Sequence, residues 1–195
     1  MRTRDVDAMR QRILVATYDC VSEAGLSKTT IEDSARKAGV SRATAYRYFP
    51  GGREELMSAV VEWEYEHFFE RLYEVVCDAQ TLEEVMERGL HFAHQSVAEH
   101  KVLQMVLATE PELLLPVLTV RSRGTQKLIA EFLIPYLMRE ELAPGIDIIE
   151  AAAFLARMVL SYISASGCWN LDDPNDVSRL VRGELLAGIL LDKGH

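Results

Sequence analysis

The sequence predicts an all-α protein: an N-terminal three-helix head carrying a helix-turn-helix, on a larger helical body, with about nine helices in total. Three observations predict this. No segment shows the strict apolar–polar alternation of a strand, whereas apolar residues recur at three- and four-residue spacing. Helix-starting patterns are frequent: Thr29, Thr81 and Thr109 each stand three residues before a glutamate (Glu32, Glu84, Glu112), Asp147 stands three before Glu150, and Asp173 precedes Pro174. Helix-ending signals lie between the periodic segments, at Gly25, Gly39, Gly51–Gly52 and Pro144–Gly145.

The elements follow in order. Residues 5–24 form an amphipathic helix, with Met9, Ile13, Ala16, Cys20 and Ala24 near one face. Two short helices occupy 30–38 and 42–49, and a long one 53–78. Helices at 82–100, 102–108, 110–142, 148–169 and 174–191 complete the chain. Pro116 and Pro135 are expected to split or kink the 110–142 stretch. The boundary between modules falls near residues 50–55, giving a head of 1–52 and a body of 53–195 with no flexible linker.

Composition narrows the function. With 49% hydrophobic and 26% charged residues in 195, the chain is globular rather than disordered. It has no apolar run of about 18 residues, so no membrane span is expected. Its charged start, MRTRDVDAMRQR, lacks the apolar stretch of a secretory signal. Cys20, Cys77 and Cys168 are widely spaced and form no CxxC pair, which fits reduced thiols in the cytoplasm. The net charge of −9 is unevenly spread. Residues 1–50 hold nine Lys/Arg against six Asp/Glu, and the rest hold twelve against 24. A basic head on an acidic body suits a protein that touches phosphates with its head only.

Enzyme motifs are missing: there is no nucleophile elbow, P-loop or HExxH, and Glu87-Arg88-Gly89-Leu90-His91 misses the Glu-x-x-His spacing. His91 and His94 are three apart on one helix, a spacing that can hold Zn²⁺, but no companion Cys or acidic motif accompanies them. No enzyme, metal or cofactor is expected.

The informative segment is Thr29-Thr30-Ile31-Glu32-Asp33-Ser34-Ala35-Arg36-Lys37-Ala38-Gly39-Val40-Ser41-Arg42-Ala43-Thr44-Ala45-Tyr46-Arg47-Tyr48-Phe49-Pro50. Gly39 can take the left-handed conformation that ends the first helix, Val40 can plug the angle between helices, and Ser41 can cap the second. Ala45 and Phe49 face inward with Ile31, Ala35 and Val40. Arg42, Ala43, Thr44, Tyr46, Arg47 and Tyr48 are left for the outer side and its flanks. An arginine can bond guanine O6 and N7 bidentately, and Ala43 or the Thr44 methyl can meet a thymine methyl. The hydroxyls of Thr30, Tyr46 and Tyr48 can reach phosphate.

From Ser41-Arg42-Ala43-Thr44 through Tyr46-Arg47-Tyr48-Phe49-Pro50 to Glu54-Glu55-Leu56, the chain resembles the TetR-family signature, a phrase like SRATxYRYFPxKxEL. Upstream, Ile13 and Gly25-Leu26-Ser27-Lys28-Thr29-Thr30-Ile31 also fit, so the likeness covers roughly residues 10–56. Gly52 stands where the family usually has a phosphate-touching Lys, and Arg53 is expected to take over that contact. Ala45 and Ser34 are smaller than usual at their positions.

The resemblance implies a homodimer that binds double-stranded operator DNA and a small effector. Two recognition helices would enter successive major grooves of a palindrome, and effector binding would shift the 53–78 helix. Repression is the family default, with activation also open. The resemblance implies dimerisation through the last two helices, and both are rich in apolar residues, including Phe154, Leu155, Leu185 and Ile189. Candidates for an apolar effector pocket are Phe92, His94, Met105, Leu118, Phe132, Tyr136, Met158 and Tyr162. Each of these positions also reads as ordinary core. A DNA-binding protein without an effector is the rival reading.

Overall fold

The computed structural model describes residues 2–191, with side chains described for 7–112 and 124–191. Among these residues nine α-helices follow one another: α1 (Arg2–Ala24), α2 (Ile31–Lys37), α3 (Arg42–Tyr48), α4 (Gly52–Val76), α5 (Leu82–Glu99), α6 (Lys101–Thr109), α7 (Pro111–Leu137), α8 (Ile148–Ser164) and α9 (Pro174–Leu180). A single antiparallel bridge, Leu142 to Leu190, is the one extended pairing among them. The all-α expectation therefore holds. No helix among the described residues is long and apolar enough to cross a membrane.

The chain divides into two compact units, Met1–Glu70 with His100–Leu115, and Arg71–Glu99 with Pro116–His195. The first unit contains the head. Its core joins Ile13, Leu14 and Ala16 of α1, Ile31 and Ala35 of α2, Ala45 of α3, Phe49, and Leu56, Ala59 and Val60 of α4. Leu56 is fully buried and Phe49 only 1% exposed. Burying a side chain of that size contributes about 1.5–3 kcal/mol. These α4 residues explain why the compact unit does not end at residue 52, where the sequence placed the boundary: the first three turns of α4 supply one wall of the head's core.

Local signals position α2 and α3. Thr30 caps α2, accepting from the Asp33 amide at 3.1 Å while Asp33 accepts in return from the Thr30 amide at 3.3 Å. The expected cap was Thr29 with Glu32. Thr29 instead is buried and donates its hydroxyl to the Gly25 carbonyl at 2.8 Å. This shift of one residue leaves Glu32 outside the cap.

In the second unit, Leu82, Val85, Met86, Leu90 and Ala93 of α5 are buried together with Leu133 and Leu137 of α7, Ala151, Ala152, Leu155 and Ala156 of α8, and Val177 and Leu180 of α9. α7 is one helix from Pro111 to Leu137, undivided at Pro116 or Pro135.

The C-terminus departs most from expectation. A helix over 174–191 was predicted, but α9 stops at Leu180 and the chain widens into a π-helical turn, Val181–Leu185. Gly188 then adopts φ +77. The last described residues run beside the segment after α7, with the Ala143 amide donating to the Ile189 carbonyl and the Leu191 amide to the Glu141 carbonyl, at 2.9 and 2.8 Å. Gly183 and Gly188, poor helix formers, sit in the unwound stretch.

Candidate nucleic-acid interface

The turn between α2 and α3 is built as its residues suggest. Gly39 takes φ +64 with nothing within 4 Å of its missing Cβ, so it serves the backbone conformation alone. The Val40 amide returns to the Ala35 carbonyl at 2.9 Å, closing α2. Ser41 caps α3, accepting from the Thr44 amide at 3.1 Å. Ala45 and Phe49 then point inward and are essentially unexposed.

That packing fixes which side chains of α3 face outward. Arg42, Ala43 and Arg47 are exposed, and Thr44, Tyr46 and Tyr48 are half-buried. The Thr44 hydroxyl lies 2.9 Å from that of Ser41, and the Thr30 hydroxyl is engaged with Asp33 in the α2 cap. Both hydroxyls serve local structure first, with only residual capacity for phosphate. Arg47 lies over the Tyr48 ring, 5.4 Å from guanidinium carbon to ring centre. No ion pair among the described residues involves Arg47. Arg36 and Lys37, by contrast, pair with Asp33 and Glu23, and Arg42 stands 2.9 Å from Glu32. Arg47 is thus a cation of α3 not neutralised among the described residues.

Arg53 is a correction. The sequence assigned it a phosphate contact. It turns inward instead and donates from Nε to the Thr29 carbonyl (2.9 Å) and from a terminal nitrogen to the Leu26 carbonyl (2.6 Å). The forked guanidinium, at the start of α4, ties down the loop between α1 and α2. The same loop is held from its other side. Glu110, between α6 and α7, accepts from the Leu26 amide at 2.7 Å and the Ser27 amide at 3.1 Å, and also from the Ser27 hydroxyl. The Ser27 hydroxyl and these amides hold the Glu110 carboxyl below its usual range. Both holders lie far along the chain from the loop.

Residues 13–60 match the family model for bacterial regulatory proteins of the tetR family. Through this segment the chain resembles the TetR-family regulators. An uncharacterised HTH-type transcriptional regulator of Mycobacterium tuberculosis is 30% identical over 79 residues, 40% of this chain and 41% of that protein. The chain thus spans about two fifths of the length of this relative. Among solved structures, the TetR-family transcriptional repressor QsdR of R. erythropolis is similar in fold, with a TM-score of 0.61 and 19% identity over 97% of this chain and 99% of that one. A complex of SmeT with triclosan aligns with a TM-score of 0.57 and 20% identity, over 95% and 93% of the two chains. The TetR-family proteins matched are transcriptional regulators, not enzymes.

The residues proposed for the TetR body fare less uniformly. Leu118 lies outside the described side chains. Met105 belongs to the first unit, and the other described effector candidates to the second. Phe92, Met105, Phe132, Tyr136 and Met158 are half-buried, with Phe132 and Tyr136 in ring contact at 5.5 Å. His94 faces Asp172 at 3.6 Å. Tyr162 donates to Glu184, whose carboxylate pushes the phenol up to about 12. These two side chains are committed to polar partners on the C-terminal segment. A cavity of about 380 Å³ in the second unit is lined instead by Thr81, Glu83, Glu140, Glu141, Arg182, Leu186, Leu190 and Leu191, none of the eight candidates.

Among the dimer residues, Leu155 and Leu185 are fully buried within the chain and Ile189 is 7% exposed. They have almost no surface left for a partner, because the unwound C-terminus folds them into its own core. Phe154 is only partly buried. The outward side of α8 carries Ile149, Ala153, Arg157 and Ser161, with Ile149 61% exposed.

Proposed function

We propose that the chain is a cytoplasmic, homodimeric repressor that binds double-stranded operator DNA through the outer face of α3 and is released by a small apolar effector. The observation that carries the reading is Arg47: an exposed arginine with no acidic partner among the described residues, on a helix held by Gly39, Ser41, Ala45 and Phe49. Its position in the TetR signature fits base recognition, with Ala43 beside it for thymine contact and the Tyr48 ring under its guanidinium. In functional terms residues 1–52 are the DNA-binding part and 53–195 the effector-binding and dimerisation part. Dimerisation is supported by the outward side of α8, with Ile149 and Phe154, rather than by the residues buried in the chain. The SmeT–triclosan neighbour supports an apolar effector, for which the half-buried Phe92, Phe132, Tyr136 and Met158 of the second unit are the candidates. An effector acts only if it binds the DNA-free form better than the DNA-bound form.

Selection from a random duplex library tests the reading. The expected product is a sequence of two half-sites related by a dyad, bound at least about a thousandfold more tightly than random duplex. Recovery of unselected sequence would overturn the assignment.

A further inference from the structure

The outer face of α3 carries a second arginine, and it is not free. Arg42 Nε lies 2.9 Å from Glu32 Oε1 on α2. The Tyr46 hydroxyl donates to the same oxygen at 3.3 Å. Arg42 also lies over the Tyr46 ring, 5.4 Å from its centre. One carboxylate oxygen therefore gathers two residues one helical turn apart on α3. Glu32 can do so because Thr30 and Asp33 cap α2, leaving its own side chain outside the cap.

An exposed ion pair contributes little to folding, and Arg42 is 70% exposed and Glu32 42%. The pair therefore has little justification as a stabilising device. Its position also opposes nonspecific DNA binding, since a carboxylate beside the recognition helix repels phosphate. Yet the geometry suits a different role. A guanidinium offers five N–H donors in a planar fork. With Nε in ion-pair contact with Glu32, the two terminal nitrogens meet no acidic group among the described residues. They are the end-on pair that can meet guanine O6 and N7. Fixing one edge of the fork on a carboxylate, and its face on Tyr46, removes rotamer freedom that an unsupported arginine loses on binding.

We propose that Glu32 is a specificity-determining positioning residue: it holds Arg42 end-on toward a guanine of the half-site and disfavours DNA that lacks that guanine. The proposal rests on the DNA-binding reading above. It also revises the sequence-based role of Tyr46, which supports Arg42 rather than reaching for phosphate.

The test is library selection followed by titration of selected and random duplexes, using the full chain and its Arg42→Ala, Glu32→Ala and Glu32→Gln variants. Arg42→Ala should erase the preference for guanine at one position of each half-site. Glu32→Ala should weaken that same preference by about tenfold and leave other positions unchanged, while affinity for random duplex rises. Glu32→Gln, which keeps an oxygen for Arg42 Nε, should retain most of the preference. If Glu32→Ala strengthens selected and random duplexes equally, with every position unchanged, Glu32 is only a repulsive charge and the proposal is wrong. It is also wrong if Arg42→Ala alters no position. A wild-type chain that selects no sequence would overturn the DNA-binding reading itself, an outcome distinct from both.

Discussion

The two units of the chain differ in what they leave on their surfaces. In the first, the large apolar side chains are enclosed, with Val15 the single large hydrophobic strongly exposed among the described residues, while outward positions of α2 and α3 carry charge. In the second, Tyr73, Leu128, Met138, Ile146, Ile149 and Leu191 are exposed, Met138 by 69%. The first unit encloses its apolar side chains and presents charged ones. The second presents apolar surface that water covers poorly. The contrast fits the proposed readings: a charged partner for the head and a second copy of the chain for the body.

Substitutions can break or sharpen this contrast. The largest effect is expected from Phe49→Ala. Removing a ring that is 1% exposed from the centre of the head core should lower stability by about 3–5 kcal/mol. Thermal or urea unfolding followed by circular dichroism measures it, and a loss below about 1 kcal/mol would contradict the packing described. Arg53→Met comes next. It leaves the Leu26 and Thr29 carbonyls without a charged donor, a cost of about 1.5–3 kcal/mol. Its binding defect should follow its melting defect, whereas a purely phosphate-contacting residue would weaken DNA binding at unchanged melting temperature.

On the body, Ile149→Glu should weaken self-association about tenfold or more, because a charge replaces an apolar contact. Sedimentation equilibrium shows it, and an unchanged dimer would remove the outward side of α8 from the interface. Glu110→Ala should have the smallest effect, lowering the melting temperature by on the order of 2 °C at neutral pH. The folded-state pKa of Glu110 is depressed, so its contribution is full above the ordinary carboxylate range and is lost as pH falls through the folded value. Wild type and variant should therefore converge in acid. A difference that persists there would assign the effect to something other than the charge.

Elements whose causes are local were legible in the sequence, and those with distant causes were not. Gly39, Ser41, Ala45 and Phe49 specify α3 within a few residues, and α3 spans what the spacing predicts to within one residue. The α2 cap was misplaced because Thr29-Thr30 followed by Glu32-Asp33 offers the same spacing in two registers. Only the burial of Thr29 chooses between them, and with it the freedom of Glu32. Arg53 finds its carbonyl partners 24 and 27 residues upstream, which no spacing rule reveals. At the C-terminus, the apolar period of 174–191 outweighed Gly183 and Gly188. Periodicity showed that Leu185 and Ile189 are buried but not against what. Their partners belong to their own chain.

If α3 reads base sequence while the rest of the head holds it in place, Arg47→Ala should separate the two roles. Its affinity for the selected duplex and for random duplex should be measured together with its melting temperature. We expect a loss of about 1–3 kcal/mol in specific binding, little change toward random duplex beyond one lost phosphate-screening charge, and an unchanged melting temperature. Equal specificity with and without the Arg47 side chain would contradict that reading.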